Sequence, residues 1–414
     1  MARILVTLLG KAVANYKSAT YVFEDKNTRT SRFFGLELAK QVKPDQLVIL
    51  GTTGSMWDNL LLETELSHRT DLEQALLNIG EAAQQDRVEQ ATLNQLAIEL
   101  SNTLNLPCRL SLIPYGRTQL EQTQTLEQLV GFFASGDTAI LDISHGLRHL
   151  PMLVQQSSLL LQTLKNVQIE AIYYGALELS QESLTPVMRL DGLLEIDRWS
   201  EALYYYDRTG DYAAFADLLA QSGFSKHAVD CLKDAAFFEQ TNNIHKAWVK
   251  LRQFLTMLKS EEALCSPHAR LFLPALKKRF AWVSQQNPKQ RQVAVAWLAL
   301  DNGNLLRATL YGFEAFITQL TEQAGGDIDN HDARNTAKEN YECTNGQKKS
   351  NKRCEHNLPS PNWEHYVLLR SIRNQLAHSS THTHQEVKKA VASRVVLSET
   401  LQSIFKTLIP RRTV

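Results

Sequence analysis

Several common signatures are absent from this chain of 414 residues, and each absence narrows what it can do. It contains neither GxGxxG nor GxxxxGK(S/T), which disfavours a dinucleotide-dependent oxidoreductase and a P-loop nucleotidase. No apolar run approaches the roughly 18–20 residues that a membrane helix requires. Lysine plus arginine and aspartate plus glutamate both number 44, which argues against a protein that coats nucleic acid through bulk charge.

Cysteine is also scarce. Five scattered cysteines, an odd number, favour reduced thiols and a cytoplasmic protein. Two stretches contain side chains that could bind a metal, Cys343–His356 and His378–His384. The first matches no zinc module, and the second is typical of a solvated tail after a helix, so we expect no metal site.

The first 195 residues alternate short apolar runs with helical stretches, which is typical of βαβ units in a doubly wound sheet. The predicted strands are Ile4–Leu9, Leu47–Leu50, Leu110–Pro114, Ala139–Ile143 and Ile169–Tyr174. The predicted helices between them include Ser31–Gln41, Asp71–Ala83 and Glu89–Thr103. Ligands of such sheets bind beyond the carboxyl ends of the strands, so the loops that follow the strands are the informative ones.

Beyond residue 195 the strand pattern fades and amphipathic helices follow. They are predicted at Trp199–Phe215, His227–Phe238, Ile244–Leu258, Leu305–Gln323 and Trp363–Ala377. The polar stretch at about 325–361 is predicted to be a surface loop or a lid. The sequence therefore predicts an α/β domain followed by an all-α region.

The loop after the fourth predicted strand carries Asp142, Ser144, His145, Gly146 and Arg148. A turn of this composition can direct backbone N–H groups, a hydroxyl, an imidazole and a guanidinium at one anion. It can equally be an Asp–Ser turn that caps the next helix, with His145 packed inside. The residues alone leave both interpretations open.

The loop after the second predicted strand, GTTGSMWD at residues 51–58, is rich in small and hydroxyl side chains. Thr52 and Ser55 suit contacts with a phosphate or a ribose, and Trp57 could stack on a base. A tight strand-to-helix turn with an ordinary capping serine explains the same residues equally well.

Arg373, Asn374 and His378 lie at the end of the last predicted amphipathic helix. RNA can be cut without metal when its own 2′-hydroxyl attacks the adjacent phosphate. This reaction needs an acid/base group near neutral pKa and a cation that stabilises the phosphorane charge. His378 and Arg373 have those capacities, and Asn374 could orient a phosphate oxygen. The alternative is a helix end where His378 interacts with the dipole and Arg373 forms a surface ion pair.

These motifs occur in the order seen in the CRISPR-associated DxTHG proteins, which the chain resembles. DISHGLR at 142–148 resembles the signature of that family, and GTTGSMW at 51–57 resembles the loop after its second strand. RNQLAH at 373–378 matches the HEPN pattern Arg-x(4–6)-His. The resemblance implies a Rossmann-like CARF domain at 1–195, a helical connector at 196–296 and an all-α HEPN domain at 297–414, which contains the polar loop.

The resemblance also implies a mechanism. CARF domains of this family pair into a homodimer that binds a cyclic oligoadenylate, expected here to be cyclic tetra-adenylate. Paired HEPN domains then cut single-stranded RNA without a metal or another cofactor and leave 2′,3′-cyclic phosphate ends. Arg373, Asn374 and His378 are the implied catalytic residues. The expected ligand contacts are Gly10, Thr52, Ser55, Trp57, Ser144, His145, Gly146 and Arg148.

The chain departs from the family pattern in two places. Ser144 stands where threonine is usual and keeps the hydroxyl, and the loop at 10–15 lacks the second glycine that we would expect. Two alternatives remain open: a non-catalytic sensor whose helical region recruits another protein, and a CARF domain that degrades its own ligand.

Overall fold

The computed structural model describes residues 1–11, 18–345, 362–378 and 384–411. Its contacts divide the chain into two units, Met1–Leu194 and Glu195–Val414. The further division of the second unit at residue 296 remains a prediction. Among the described residues, no helix is long and apolar enough to cross a membrane.

The first unit contains one sheet, whose strand order in the described residues is β3-β2-β8-β7-β6-β1-β4-β5. The strands are β1 (Arg3–Leu8), β2 (Ala19–Val22), β3 (Thr28–Ser31), β4 (Gln46–Gly51), β5 (Cys108–Leu112), β6 (Thr138–Asp142), β7 (Gln168–Gly175) and β8 (Leu184–Arg189). The neighbours from β7 to β5 pair in parallel, whereas β8 is antiparallel to β7, and β3 is antiparallel to β2.

Helices cover both faces of this sheet. They are α1 (Phe34–Val42), α2 (Trp57–Leu62), α3 (Glu73–Gln84), α4 (Gln90–Leu104), α5 (Gln119–Val130) and α6 (His149–Lys165). Alternate residues of β1 point to opposite faces: Leu5 packs in the core with α1 to α4, and Val6 packs in the core with α5 and α6. This arrangement confirms the predicted doubly wound α/β unit.

The sequence reasoning missed β2, β3 and β8. The first two have only four residues each, and β3 (TRTS) lacks the apolar run used to predict strands. The helix predicted to begin at Ser31 begins instead at Phe34, because Ser31 is the last residue of β3.

The second unit is all-α in its described residues, as predicted. Its helices are α7 (Asp191–Thr209, which begins in the first unit), α8 (Ala216–Gln221), α9 (Lys226–Gln240), α10 (Ile244–Glu261), α11 (Pro267–Arg279), α12 (Pro288–Asp301), α13 (Leu305–Gln323), α14 (His331–Thr344), α15 (Trp363–His378), α16 (Gln385–Ala390) and α17 (Arg394–Leu408). One apolar core runs through them.

The predicted end of one helix and the predicted state of one cysteine need correction in this unit. The helix predicted at Trp199–Phe215 ends at Thr209, because Gly210 adopts a left-handed conformation with φ +73° and a short 3₁₀ turn follows at Tyr212–Phe215. Reduced thiols are confirmed for Cys108, Cys231 and Cys265 but wrong for Cys343, which is disulfide-bonded.

The polar stretch at about 325–361 is not a loop throughout, because residues 331–344 form α14. Asn330 caps its start by accepting hydrogen bonds from the N–H groups of Asp332 and Ala333. Near its end, the Glu342 carboxylate accepts hydrogen bonds from Tyr366 Oη and Arg370 Nη1 of α15, both at 2.7 Å. Hydrogen bonds between Glu342 and α15 therefore hold this helix in place. Its polar composition is the reason why the sequence predicts a loop here. Residues 346–361 lie outside the described part of the chain.

The Glu342 contacts predict a stability effect. Glu342→Ala should lower the free energy of unfolding by about 2 to 3 kcal/mol, because it leaves the half-buried Arg370 and the buried Tyr366 hydroxyl without this acceptor. Glu364→Ala, at an exposed position on α15, is the matched control and should change it by less than about 0.5 kcal/mol. Equal losses for the two variants in denaturant unfolding would contradict the assignment.

Candidate functional site

Three predicted ligand loops lie together at one edge of the sheet. β1, β4 and β6 are adjacent parallel strands, so the loops that follow them leave the sheet at the same carboxyl edge. The first two loops are joined directly: Met56 N–H donates to Gly10 O at 3.0 Å, and Lys11 forms a β-bridge with Ser55. Residues 12–17 of the first loop lie outside the described part of the chain.

The hydroxyls of Thr52 and Ser55 shape the loop after β4. Ser55 Oγ accepts a hydrogen bond from Thr52 N–H at 2.8 Å and donates one to Leu9 O at 3.1 Å. Thr52 is 2% exposed and Ser55 is 1% exposed. Both hydroxyls are therefore enclosed and already bonded within the protein, and their expected contact with a ligand stays a prediction.

Trp57, which the sequence predicts to stack on a base, is also turned inward in this structure. Its side chain is fully buried, and its indole Nε1 donates to Thr52 O at 2.9 Å. Gly51 makes room for the ring, since a Cβ at this position would lie 2.6 Å from Trp57 Cζ2. Trp57 therefore belongs to the core beneath the loop.

The DIS part of the signature forms a clasp between strand ends. The fully buried Asp142 carboxylate accepts hydrogen bonds from Thr7 Oγ1 of β1 at 2.5 Å and from Ser144 N–H and Oγ at 2.9 and 2.6 Å. Ser144 Oγ in turn accepts a hydrogen bond from Gly175 N–H of β7 at 2.7 Å. We call these four residues the Asp142 clasp. Its geometry favours a structural function for Ser144, whose hydroxyl both donates and accepts within the clasp.

Burial and hydrogen bonding change the pKa of Asp142 in opposite directions. Loss of hydration raises the pKa of this carboxyl, and the hydrogen bonds from Ser144 and Thr7 lower it, with a net rise from 3.8 to about 6. Burial is thus the larger effect, even though three donors surround the carboxylate. The clasp holds a charge at neutral pH that is costly to bury.

His145 and Gly146 bring the loop against the start of α1. Phe34 N–H donates to His145 Nε2 at 3.2 Å, and the imidazole stacks on Phe33 with ring centroids 5.6 Å apart. Burial lowers the pKa of His145 to about 4, so the ring is neutral at physiological pH and Nε2 can act as an acceptor. Gly146 has φ +99°, a conformation that favours glycine, and lies against Leu8.

The exposed charges at this edge were only partly predicted. Arg148 is exposed next to the start of α6, where a ligand can reach it. The sequence reasoning did not single out Lys11, Tyr115, Arg117 or His149. The Arg117 guanidinium lies 4.5 Å and Lys11 Nζ lies 5.6 Å from the centre of the Tyr115 ring, and His149 Nε2 is 2.6 Å from Tyr115 O. The rule that ligands bind at carboxyl strand ends would have pointed to the loop after β5, which carries Tyr115 and Arg117.

The second unit places the predicted catalytic residues at the end of α15. Arg373 is half-buried; its Nη1 donates to Asn374 Oδ1 at 3.2 Å, and its guanidinium lies 5.7 Å from the centre of the Phe313 ring. Asn374 and His378 are exposed, and His378 is the last residue of the helix. A separation of five residues directs Arg373 and His378 about 140° apart around the helix. Residues 379–383, which include His382, lie outside the described part of the chain.

The pKa of Asp142 predicts a pH dependence. Because folding raises this pKa from 3.8 to about 6, its contribution to stability is fully present below about pH 4 and is lost as the pH rises through about 6. Relative to Asp142→Asn, which has the same shape and does not titrate, the wild type should lose at most about 3 kcal/mol between about pH 4 and 7. Urea unfolding of both proteins across that range measures the difference. A constant difference, or a relative gain for the wild type at higher pH, would contradict the assignment.

Comparison with known proteins agrees with the N-terminal motifs. Residues 4–178 match the family model "CRISPR system endoribonuclease Csx1, CARF domain". The chain is 22% identical over 302 residues to the CRISPR-associated protein MJ1674 of Methanocaldococcus jannaschii. That alignment covers 67% of this chain and 47% of the relative, so the chain spans about half the length of the curated protein.

A solved structure of Csm6 from Enterococcus italicus, bound to cyclic hexa-2′-fluoro-hexa-dAMP, is similar to the chain at 10% identity and a TM-score of 0.36. The alignment covers 100% of this chain and 96% of Csm6, but the score is too low to carry an argument. The matched range of the family model includes the signature loop at 142–148. Residues 4–178 therefore form a CARF domain, and the chain is similar to CRISPR-associated proteins.

Proposed function

We propose that the chain is a CRISPR effector of the cytoplasm that senses cyclic oligoadenylate through its CARF unit and cleaves single-stranded RNA with its helical unit. The observation that carries the sensing part is the carboxyl edge of the sheet. There, exposed basic side chains follow the ends of β1, β5 and β6. The exposed residues are Lys11, Arg117, Arg148 and His149.

The chemistry of this edge suits a ligand with several phosphates. Lysine and arginine side chains attract phosphate oxygens, and the N–H groups of the first turn of α6 carry partial positive charge. Two copies of the edge would present these groups twice to a cyclic ligand with twofold symmetry, which supports a homodimer. Cyclic tetra-adenylate is the favoured ring on family resemblance.

We propose that the second unit contains a HEPN domain that cleaves RNA. The spacing of Arg373 and His378 directs them about 140° apart around α15, which favours a site built from more than one copy. We therefore propose that two copies of α15 pair, and that each contributes to a composite site. In such a dimer, ligand binding by the paired CARF units can shift the conformational equilibrium of the paired α15 helices.

The proposed reaction uses no metal. The 2′-oxygen of the RNA attacks the adjacent phosphorus while its proton passes to a base, and the bond from phosphorus to the 5′-oxygen breaks. The leaving 5′-oxygen takes up a proton, so the products are a 2′,3′-cyclic phosphate and a 5′-hydroxyl. His378 supplies the acid/base group, Arg373 stabilises the phosphorane charge and Asn374 orients a phosphate oxygen.

Arg373→Ala and His378→Ala test this assignment. Each should lower ligand-stimulated cleavage of single-stranded RNA by about 100-fold or more, because each removes a charge-stabilising or proton-transferring group. Binding of cyclic tetra-adenylate, measured by calorimetry on the same variants, should be unchanged, because the substitutions lie outside the CARF unit.

His365→Ala is the matched control, because His365 is a second histidine on α15 and lies near the other end of the helix. It should retain most of the activity. Normal cleavage by either Arg373→Ala or His378→Ala would show that the catalytic site is elsewhere. Ligand binding by the wild type without any RNA cleavage would instead favour the non-catalytic sensor.

A further inference from the structure

One carboxylate stands among the cations at the carboxyl edge. Asp86 lies in the turn between α3 and α4, with its side chain 44% exposed. Lys11 Nζ is 3.3 and 3.4 Å from its two oxygens, and the Tyr115 hydroxyl donates to it. Gly54 allows this approach, because a Cβ there would collide with the Asp86 carboxylate and the Tyr115 hydroxyl. The loops after β1, β4 and β5 therefore meet at one negative charge.

Asp86 is charged at neutral pH. The hydrogen bond from Tyr115 and the neighbouring Lys11 hold the pKa of this carboxyl below its ordinary value, and Arg117 adds to the effect. A carboxylate in this position repels an anionic ligand, and it occupies the ammonium group that such a ligand would use. Its presence therefore needs an explanation if the edge binds a polyanion.

We infer that Asp86 is an internal competitor for the ligand: it holds Lys11 until a phosphate group of the ligand displaces it. The inference rests on the proposed function, because it takes cyclic oligoadenylate as the anion. Repulsion built into a site weakens the binding of every anionic ligand, and thereby raises the concentration needed to occupy it. Asp86 thus sets the threshold of the sensor.

The variant Asp86→Asn tests the inference on the full chain. The amide oxygen can still accept the Tyr115 hydrogen bond, but the charge that holds Lys11 is gone. Calorimetric titration with cyclic tetra-adenylate and cyclic hexa-adenylate should show binding about three- to tenfold tighter than in the wild type. The gain should shrink as salt is added, because screening weakens the repulsion that the variant removes.

Asp71→Asn is the matched control. Asp71 forms an exposed ion pair with Arg69 at 2.6 Å in the same unit, and its loss should leave the affinity unchanged. If the wild type binds a ring and Asp86→Asn binds it equally or more weakly, the inference is overturned and the proposed function stands. If neither protein binds either ring, the ligand assignment falls, and the inference falls with it.

Discussion

The buried carboxyl of Asp142 lies where the parallel strands β1, β6 and β7 end, and the geometry of the loops at this carboxyl edge depends on it. Thr7 and Ser144 donate hydrogen bonds to it, and Ser144 Oγ also accepts one from Gly175 N–H. The same loop continues to His145, which receives the N–H of Phe34 at the start of α1. One motif thereby fixes the ends of three strands and the first turn of a helix.

The polar side chains of this motif bond to other parts of the protein. Asp142 and His145 are both desolvated, which raises the pKa of the acid and lowers the pKa of the base. The histidine is therefore neutral at physiological pH and adds no positive charge to the edge. Any attraction of this edge for an anion must come from exposed side chains such as Arg148, Lys11 and Arg117.

The sequence predicted the five neighbouring strands that pair in parallel, because buried parallel strands leave a strong local pattern. It predicted α13 at both ends, where an amphipathic stretch follows the capping residue Asn304. It failed where tertiary contacts decide the outcome. α14 has a polar composition and is fixed by contacts such as Glu342 with Arg370, and Trp57 turns inward because Gly51 leaves space for its ring. The sequence motif placed Ser144 in the loop after β6. It did not show that the Ser144 hydroxyl forms hydrogen bonds with Asp142 and Gly175.

We propose that a cyclic oligoadenylate switches on a metal-independent ribonuclease. The most direct measurement is cleavage of a fluorogenic single-stranded RNA by the purified chain in EDTA, with cyclic oligoadenylates of each ring size supplied separately. The account predicts cleavage that requires a ring, is greatest with one ring size, persists in EDTA and yields 2′,3′-cyclic phosphate ends. Cleavage that is independent of every ring, or that stops in EDTA, would contradict it, as would the absence of cleavage with a ring that binds.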